Sequence, residues 1–253
     1  MLPITRKAKI KDIIQEEKSV TVAKLTSLFQ VTEETIRRDL KQLEEEGVLT
    51  RTYGGAYIPD GVQNDINIQL REHIHVDGKK RIAAQCAQFI SNGDSIFLDA
   101  STTSLYIAQQ IQEQRLTVVT NSIKIINVLM ESPQVHLVVI GGGISSSSMS
   151  ALGRNAEVNM KSYFFDMAFI SCRSVSIQHG LTDSNEQQAE VRRIAAERAN
   201  KVYLAADYTK FDRTSFASIC DLDQIHTIVT DQRLDDPWHE VTSTKGISLY
   251  ECE

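Results

Sequence analysis

Apolar residues recur along this chain with two different periods, and the change of period divides it. Near the amino terminus the period is helical. Ile10, Ile13 and Ile14 share one face of residues 6–15, Leu25, Leu28 and Phe29 share one face of residues 22–29, and Ile36, Leu40 and Leu43 share one face of residues 31–43. Three short amphipathic helices in succession predict a trihelical core, with residues 30–32 as the turn before the third. Thr21 and Thr32 stand where N-caps belong. Glu33 and Glu34 fill the next turn, where carboxylates favour the positive end of the helix dipole, so the third helix is expected to start near Glu33. Thr35, Arg37, Arg38 and Lys41 fall off its apolar face, leaving that surface wet and basic. Gly47 supplies a left-handed stop, and residues 49–53 and 56–58 flank Gly54-Gly55 as a hairpin would. Helix, turn, helix and hairpin in this order predict a winged helix-turn-helix.

Pro59-Asp60-Gly61 breaks the pattern, and the polar stretch after it reads as a linker, giving boundaries of 1–58, 59–76 and 77–253. From residue 77 onward, helical patterns such as 79–90 alternate with short apolar runs at 95–98, 116–119, 135–140, 167–170, 202–205, 227–229 and 247–250. This alternation predicts an α/β domain with a mainly parallel sheet covered by helices.

Composition changes this picture little. The 253 residues are 42% hydrophobic and 24% charged, ordinary for soluble domains, with no apolar run of the ~20 residues a membrane helix needs. The start is too charged for a secretory signal, so a cytoplasmic location is expected. The four cysteines form no C-x-x-C, which argues against zinc and against a disulfide framework. The net charge of −6 runs against nucleic-acid binding until it is split: residues 1–57 carry ten Lys and Arg against nine Asp and Glu, leaving about −7 on the remainder. Binding to DNA must then rest on local clustering and on two half-sites.

The stretch Thr35-Ile36-Arg37-Arg38-Asp39-Leu40, then Gly47-Val48-Leu49-Thr50-Arg51, then Gly54-Gly55-Ala56 resembles the amino-terminal signature of DeoR-type bacterial repressors. That family usually has serine at position 32 and histidine at position 53, where this chain has Thr32 and Tyr53. The resemblance implies double-stranded operator DNA as partner, with Thr32, Thr35, Arg37, Arg38, Lys41, Arg51 and Tyr53 at the interface. Arg37 and Arg38 also have a plainer reading as solvated i,i+4 partners of Glu33 and Glu34.

Ligands of open α/β sheets bind beyond the carboxyl ends of the strands, and the residues there are polar: Asp99 to Thr103, Thr120-Asn121-Ser122, Gly141-Gly142-Gly143, Ser171-Cys172-Arg173 and Asp207 to Phe211. Ser101, Thr102 and Thr103 precede a helix, where hydroxyls and backbone N–H groups suit an anion, although the same residues serve simply as caps. The order Asp-x-x-Thr-Thr, Thr-Asn-Ser, Gly-Gly, Gly180-Leu181-Thr182 and Asp207-x-x-Lys210-Phe211 is similar to the carboxy-terminal half of DeoR-type repressors, itself similar to ribose-5-phosphate isomerase. This second resemblance implies a phosphorylated-sugar effector. It would be held by Asp99, Ser101, Thr102, Thr103, Thr120, Asn121, Gly142, Arg173, Asp183, Asn185 and Lys210, in a homodimer or homotetramer without cofactor or metal. The chain departs from the family at Ser101, at Thr209 and at Cys172-Arg173-Ser174. Ser101, Cys172 and Asp183-Ser184-Asn185 look more like the branch controlling deoxyhexose use, whose inducers are expected to be ketose 1-phosphates. Arg173 reads equally as a phosphate ligand or as a solvated charge.

Other motifs are weaker. The triple glycine lacks the spacing of a dinucleotide fingerprint and has no Lys-Ser/Thr after it. His73-x-His75 has no partners at metal spacing and is expected to be surface or packing. An isomerase with a DNA-binding head is the competing reading, but such isomerases carry an acidic run where this chain reads Asp166-Met167-Ala168-Phe169-Ile170. A ligand-dependent activator shares every motif with a repressor.

Overall fold

The computed structural model describes residues 2–58 and 68–253 of the chain. Two compact units are present, Met1–Ile74 and His75–Glu253. The Pro59-Asp60-Gly61 break and the first half of the expected linker lie outside the described residues, while its second half contains a short helix, Ile68–Arg71.

In the first unit α1 (Pro3–Glu17), β1 (Ser19–Thr21), α2 (Val22–Phe29) and α3 (Glu33–Glu45) precede β2 (Thr50–Thr52), β3 (Gly55–Tyr57) and α4 (Ile68–Arg71). Ile10, Ile14, Leu25, Ile36, Leu40 and Leu43 close the core with essentially no exposure. Leu28 departs from expectation and is 55% exposed, because on so short a helix Val22, Leu25 and Phe29 define the inward direction and Leu28 points away from their mean. The hairpin gains a strand the periodicity does not reveal: β1 pairs antiparallel with β3, which pairs with β2. Gly55 is required there, since a Cβ would run into the Val20 carbonyl. Gly47, at φ 71°, ends α3 in a Schellman turn, with Val48 N–H donating to Leu43 O and Gly47 N–H to Glu44 O.

The second unit runs α5 (Val76–Ala87), β4 (Ser95–Leu98), α6 (Thr102–Gln110), β5 (Leu116–Thr120), α7 (Ile123–Leu129), β6 (Val135–Val139), β7 (Gly143–Ser145), β8 (Ser150–Leu152) and α8 (Arg154–Met160). It continues through β9 (Phe165–Ile170), β10 (Ser174–Ser176), β11 (Gly180–Asp183), α9 (Glu186–Glu197), β12 (Ala199–Ala205), β13 (Ala217–Cys220), β14 (Thr227–Thr230), α10 (Asp236–Lys245) and β15 (Ser248–Glu251). All seven expected strands form one sheet in the order β15-β14-β12-β9-β4-β5-β6, and every pairing in it is parallel. Two small antiparallel additions, β7-β8 and β10-β11-β13, were not apparent from the apolar pattern.

The strand order positions the site. The chain runs outward from β4 through β5 to β6, then returns to the other side of β4 and runs outward through β9, β12, β14 and β15. β4 and β9 therefore flank a topological switch point, where connections leave in opposite directions, the place at which open α/β sheets bind their ligands.

Candidate nucleic-acid interface and sensor site

Thr32 caps α3 through its hydroxyl, which accepts from Thr35 N–H at 3.3 Å. The helix is pinned from behind by a buried pair in which Arg6 of α1 donates to both oxygens of Asp39, at 2.5 and 3.2 Å. Asp39 lies on the buried face beside Leu40, so this pair fixes the rotation of α3 and thereby which residues face outward. Neither residue is marked by apolar spacing, and they are 33 positions apart.

The outward residues differ in their freedom. Arg38 lies 3.6 Å from Glu34 with both side chains largely exposed, a weak and screened pairing. Lys41 is similarly exposed at 3.9 Å from Glu45. Arg37 instead ties the helix to the hairpin: it donates to Tyr53 O at 2.7 Å, reaches Glu33 at 3.2 Å and places its guanidinium 5.4 Å from the Tyr53 ring centroid. Arg51 is held by Glu44, which accepts from its backbone N–H at 2.8 Å and from its Nε at 2.7 Å, and these bonds keep the Glu44 carboxyl below the usual carboxylate range. The Tyr53 ring is 77% exposed at the hairpin tip.

At the switch point Asp99 is the hub. One of its carboxylate oxygens accepts from Ser101 N–H and from Ser104 Oγ at 2.6 Å, and the other accepts from Ser171 N–H at 3.0 Å and from Arg192 Nε at 2.6 Å. The ends of β4 and β9 are thus joined through one side chain. Arg192 also pairs with Asp183, and all three groups are buried. Burial by itself would raise the Asp99 carboxyl, but Arg192 and the bonds from Ser101, Ser104 and Ser171 outweigh it and hold the group below its usual range.

Several expected ligands have work inside the frame. Ser101 caps α6, accepting from Ser104 N–H at 3.0 Å, and Asn185 caps α9, accepting from Gln188 N–H at 3.0 Å. The Thr120 hydroxyl donates to Leu98 O at 2.7 Å. Gly142 lies where a Cβ would crowd Leu152 O and the Ala156 Cβ. Arg173, half-buried, is held by its backbone N–H on Thr182 O at 3.0 Å.

Others keep capacity. Thr102 and Thr103 open α6, are almost fully buried, and among the described residues their hydroxyls make no hydrogen bond. Asn121 donates from Nδ2 to Ala151 O at 3.0 Å, which fixes the amide orientation, and its buried Oδ1 has no partner among the described residues. Lys210 lies 3.8 Å from Asp207, whose carboxyl also accepts from Thr209. Burial again raises the Asp207 carboxyl, and Lys210, Thr209, Lys79 and His75 more than compensate, so it too is held low. Burial pushes the Cys172 thiol far above its ordinary value despite Arg192 and Lys210 nearby, leaving it neutral. Arg192 is the residue sequence reading missed; its only trace is a charge on the buried face of α9, beside Ala189 and Ala195.

A winged helix-turn-helix followed by a doubly wound sheet with polar residues gathered at its switch point is the architecture of a ligand-responsive DNA-binding regulator. The DeoR-like helix-turn-helix domain matches residues 6–62 and the DeoR C terminal sensor domain matches residues 74–232, and the chain belongs to the DeoR family of transcriptional regulators. It is 37% identical over 235 residues to the uncharacterized HTH-type transcriptional regulator YulB of Bacillus subtilis, covering 93% of this chain and 91% of that one. It is 30% identical to the HTH-type transcriptional repressor GlcR of the same organism, covering 96% and 94%. The L-fucose operon activator of Haemophilus influenzae is 32% identical, covering 88% and 90%. Among solved structures, ribose 5-phosphate isomerase A of Methanocaldococcus jannaschii aligns over 54% of each chain at 16% identity and a TM-score of 0.40.

Proposed function

We propose that this protein represses a carbohydrate catabolic operon and leaves its operator when a phosphorylated sugar enters the crevice at the switch point. The observation that carries the reading is the division of labour there. Asp99, Asp183 and Arg192 satisfy one another, while among the described residues Thr102 and Thr103 at the start of α6 and Asn121 Oδ1 just after β5 keep unused hydrogen-bonding capacity. A helix start with free hydroxyls favours a phosphate, to which Lys210 adds charge, and an unpaired buried carbonyl oxygen calls for a donor such as a sugar hydroxyl. A deoxyketose 1-phosphate is the first candidate, supported by Ser101, Cys172 and Asp183-Ser184-Asn185 and by the fucose operon named for one relative.

On DNA, Arg38, Lys41 and Thr35 would reach the major groove or its phosphates, with Arg37 and Tyr53 presenting the wing and Arg51 at its base. A dimer or tetramer engaging two half-sites fits the near-balanced charge of the first unit, and a cytoplasmic location follows from the role; no described helix is long and apolar enough to cross a membrane. Isomerase chemistry is not part of the proposal. It needs a base with a pKa near neutrality, whereas Asp99 and Asp207 are held low, and Asp166 sits at the opposite end of β9, accepting from Ser95 N–H at 2.8 Å. One relative is named an activator, and the same measurement settles the sign of the response.

The test is fluorescence anisotropy of the full chain on a labelled duplex recovered by in vitro selection. Ketose 1-phosphates, other sugar phosphates, the free sugars and inorganic phosphate are each titrated into the complex. Release by a sugar phosphate and by no free sugar is expected; tightening would make the protein an activator, and no response to any of them would sink the sensor reading.

A further inference from the structure

We propose that the segment His73-Ile74-His75 is the link through which the Asp207–Phe211 turn controls the wing. This deepens the reading of an effector-released regulator and rests on it. In the first unit, the His73 ring packs on the Tyr53 ring at 5.7 Å between centroids, and Tyr53 is the residue whose carbonyl and ring are both held by Arg37 of α3. His73 is itself carried by α4, whose Leu70 is fully buried and lies against Gly54 and Gly55 of the hairpin. In the second unit, the His75 ring packs edge-on against Tyr208 at 5.5 Å. Tyr208 belongs to the turn that carries Asp207 and Lys210, and its N–H is anchored on Asp231 at 2.8 Å.

Two imidazoles separated by one residue therefore pack on aromatic rings, one on the wing in the first unit and one on the candidate phosphate-binding turn in the second. The backbone supplies the switch. His75 sits in the left-handed region at φ 51°, ψ 43°, immediately before α5, a conformation that a non-glycine residue keeps only where its surroundings impose it. The Tyr208 ring packs against its side chain there, and Lys79 N–H donates to its carbonyl at 3.1 Å. An anion drawing Lys210 away from Asp207 shifts this turn, frees the His75 ring and lets the backbone leave the left-handed region. The chain two residues upstream then changes direction, and His73 leaves Tyr53. In this proposal the arrangement with both ring contacts made is the operator-binding one.

The decisive measurement uses no effector. In the full chain, Tyr208→Leu and His75→Gly, each outside the first unit, are expected to weaken operator binding fivefold or more, within the range usual for coupling between sites. Tyr208→Phe keeps the ring and is expected to bind like the parent. In a His73→Leu background, Tyr208→Leu is expected to add nothing further, because the link is already cut. Circular dichroism and thermal unfolding confirm that each variant is folded. Parental affinity in both folded Tyr208→Leu and His75→Gly, or full additivity with His73→Leu, overturns the link. If the link holds while no sugar phosphate releases the parent, the effector reading alone fails.

Discussion

Arg192 occupies a position on α9 flanked by Ala189 and Ala195, where a guanidinium is tolerated only if its charge is matched. Its partners Asp99 and Asp183 are 93 and 9 positions away, a separation no local pattern exposes, which is why the sequence marked both carboxylates as ligands and passed over the residue that engages them. Arg192→Met would leave two buried carboxylates uncompensated. We expect a loss of about 3–5 kcal/mol in the second unit, partly recovered in the triple variant with Asp99→Asn and Asp183→Asn, by denaturant unfolding followed through Trp238 fluorescence. Asp207 gives the matching pH test. Its folded pKa is depressed, so its contribution to stability is present above the ordinary carboxylate value of about 4 and is lost as pH falls through the lower folded value. The difference in melting temperature between the parent and Asp207→Asn should therefore be constant from pH 7 to about 5 and shrink below about 4. A difference that grows on acidification would show the carboxyl to be raised.

At the level of elements, legibility follows the kind of burial. The central strands β4, β5, β9, β12 and β14 are largely buried and read as short apolar runs, whereas the edge strands β6 and β15 contain no fully buried residue and are legible from their apolar composition alone. β1, β7 and β10 have only three residues each, with Ser or Gly in every one, too short and too polar to stand out from loops. The α3 boundaries were legible because the caps are local chemistry: Thr32 at one end and Gly47 at the other. What α3 presents to DNA was less so, since the sequence treats Arg37 and Arg38 alike whereas Arg37 is bonded to the wing. The two should separate on substitution. Arg38→Ala is expected to cost ~1 to 3 kcal/mol of operator binding per half-site with an unchanged melting curve. Arg37→Ala should lose affinity and also lower the melting temperature of the first unit. Gel shifts with parallel calorimetry decide this, and parental affinity in Arg38→Ala would reduce that residue to a solvated partner of Glu34.

For the whole molecule the question is whether sensing and DNA binding can be uncoupled by residues that belong to only one unit. A ligand shifts an equilibrium only by its preference for one state, and a complete switch requires ~5.5 kcal/mol of such preference. At the switch point that energy is sought in groups that can turn to a ligand: Thr103, in the first turn of α6, whose hydroxyl makes no hydrogen bond among the described residues, and Lys210, whose ammonium lies 3.8 Å from Asp207 and brings positive charge. Thr103→Val replaces a hydroxyl by a methyl of similar volume, and Lys210→Met keeps the length of the chain without the ammonium. Thr103 lies outside the first unit and outside the Asp207–Phe211 turn, so operator affinity of Thr103→Val in the absence of sugar phosphate should remain within about twofold of the parent's, whereas Lys210→Met, which breaks the pairing with Asp207 in that turn, should also lose operator affinity. The effector concentration giving half-release should rise at least tenfold in each, corresponding to about 1.4 kcal/mol per lost contact. In cells Thr103→Val then gives repression that sugar does not relieve. Anisotropy titrations on preformed operator complexes read both quantities at once, and variants released at the parental effector concentration would place the phosphate elsewhere.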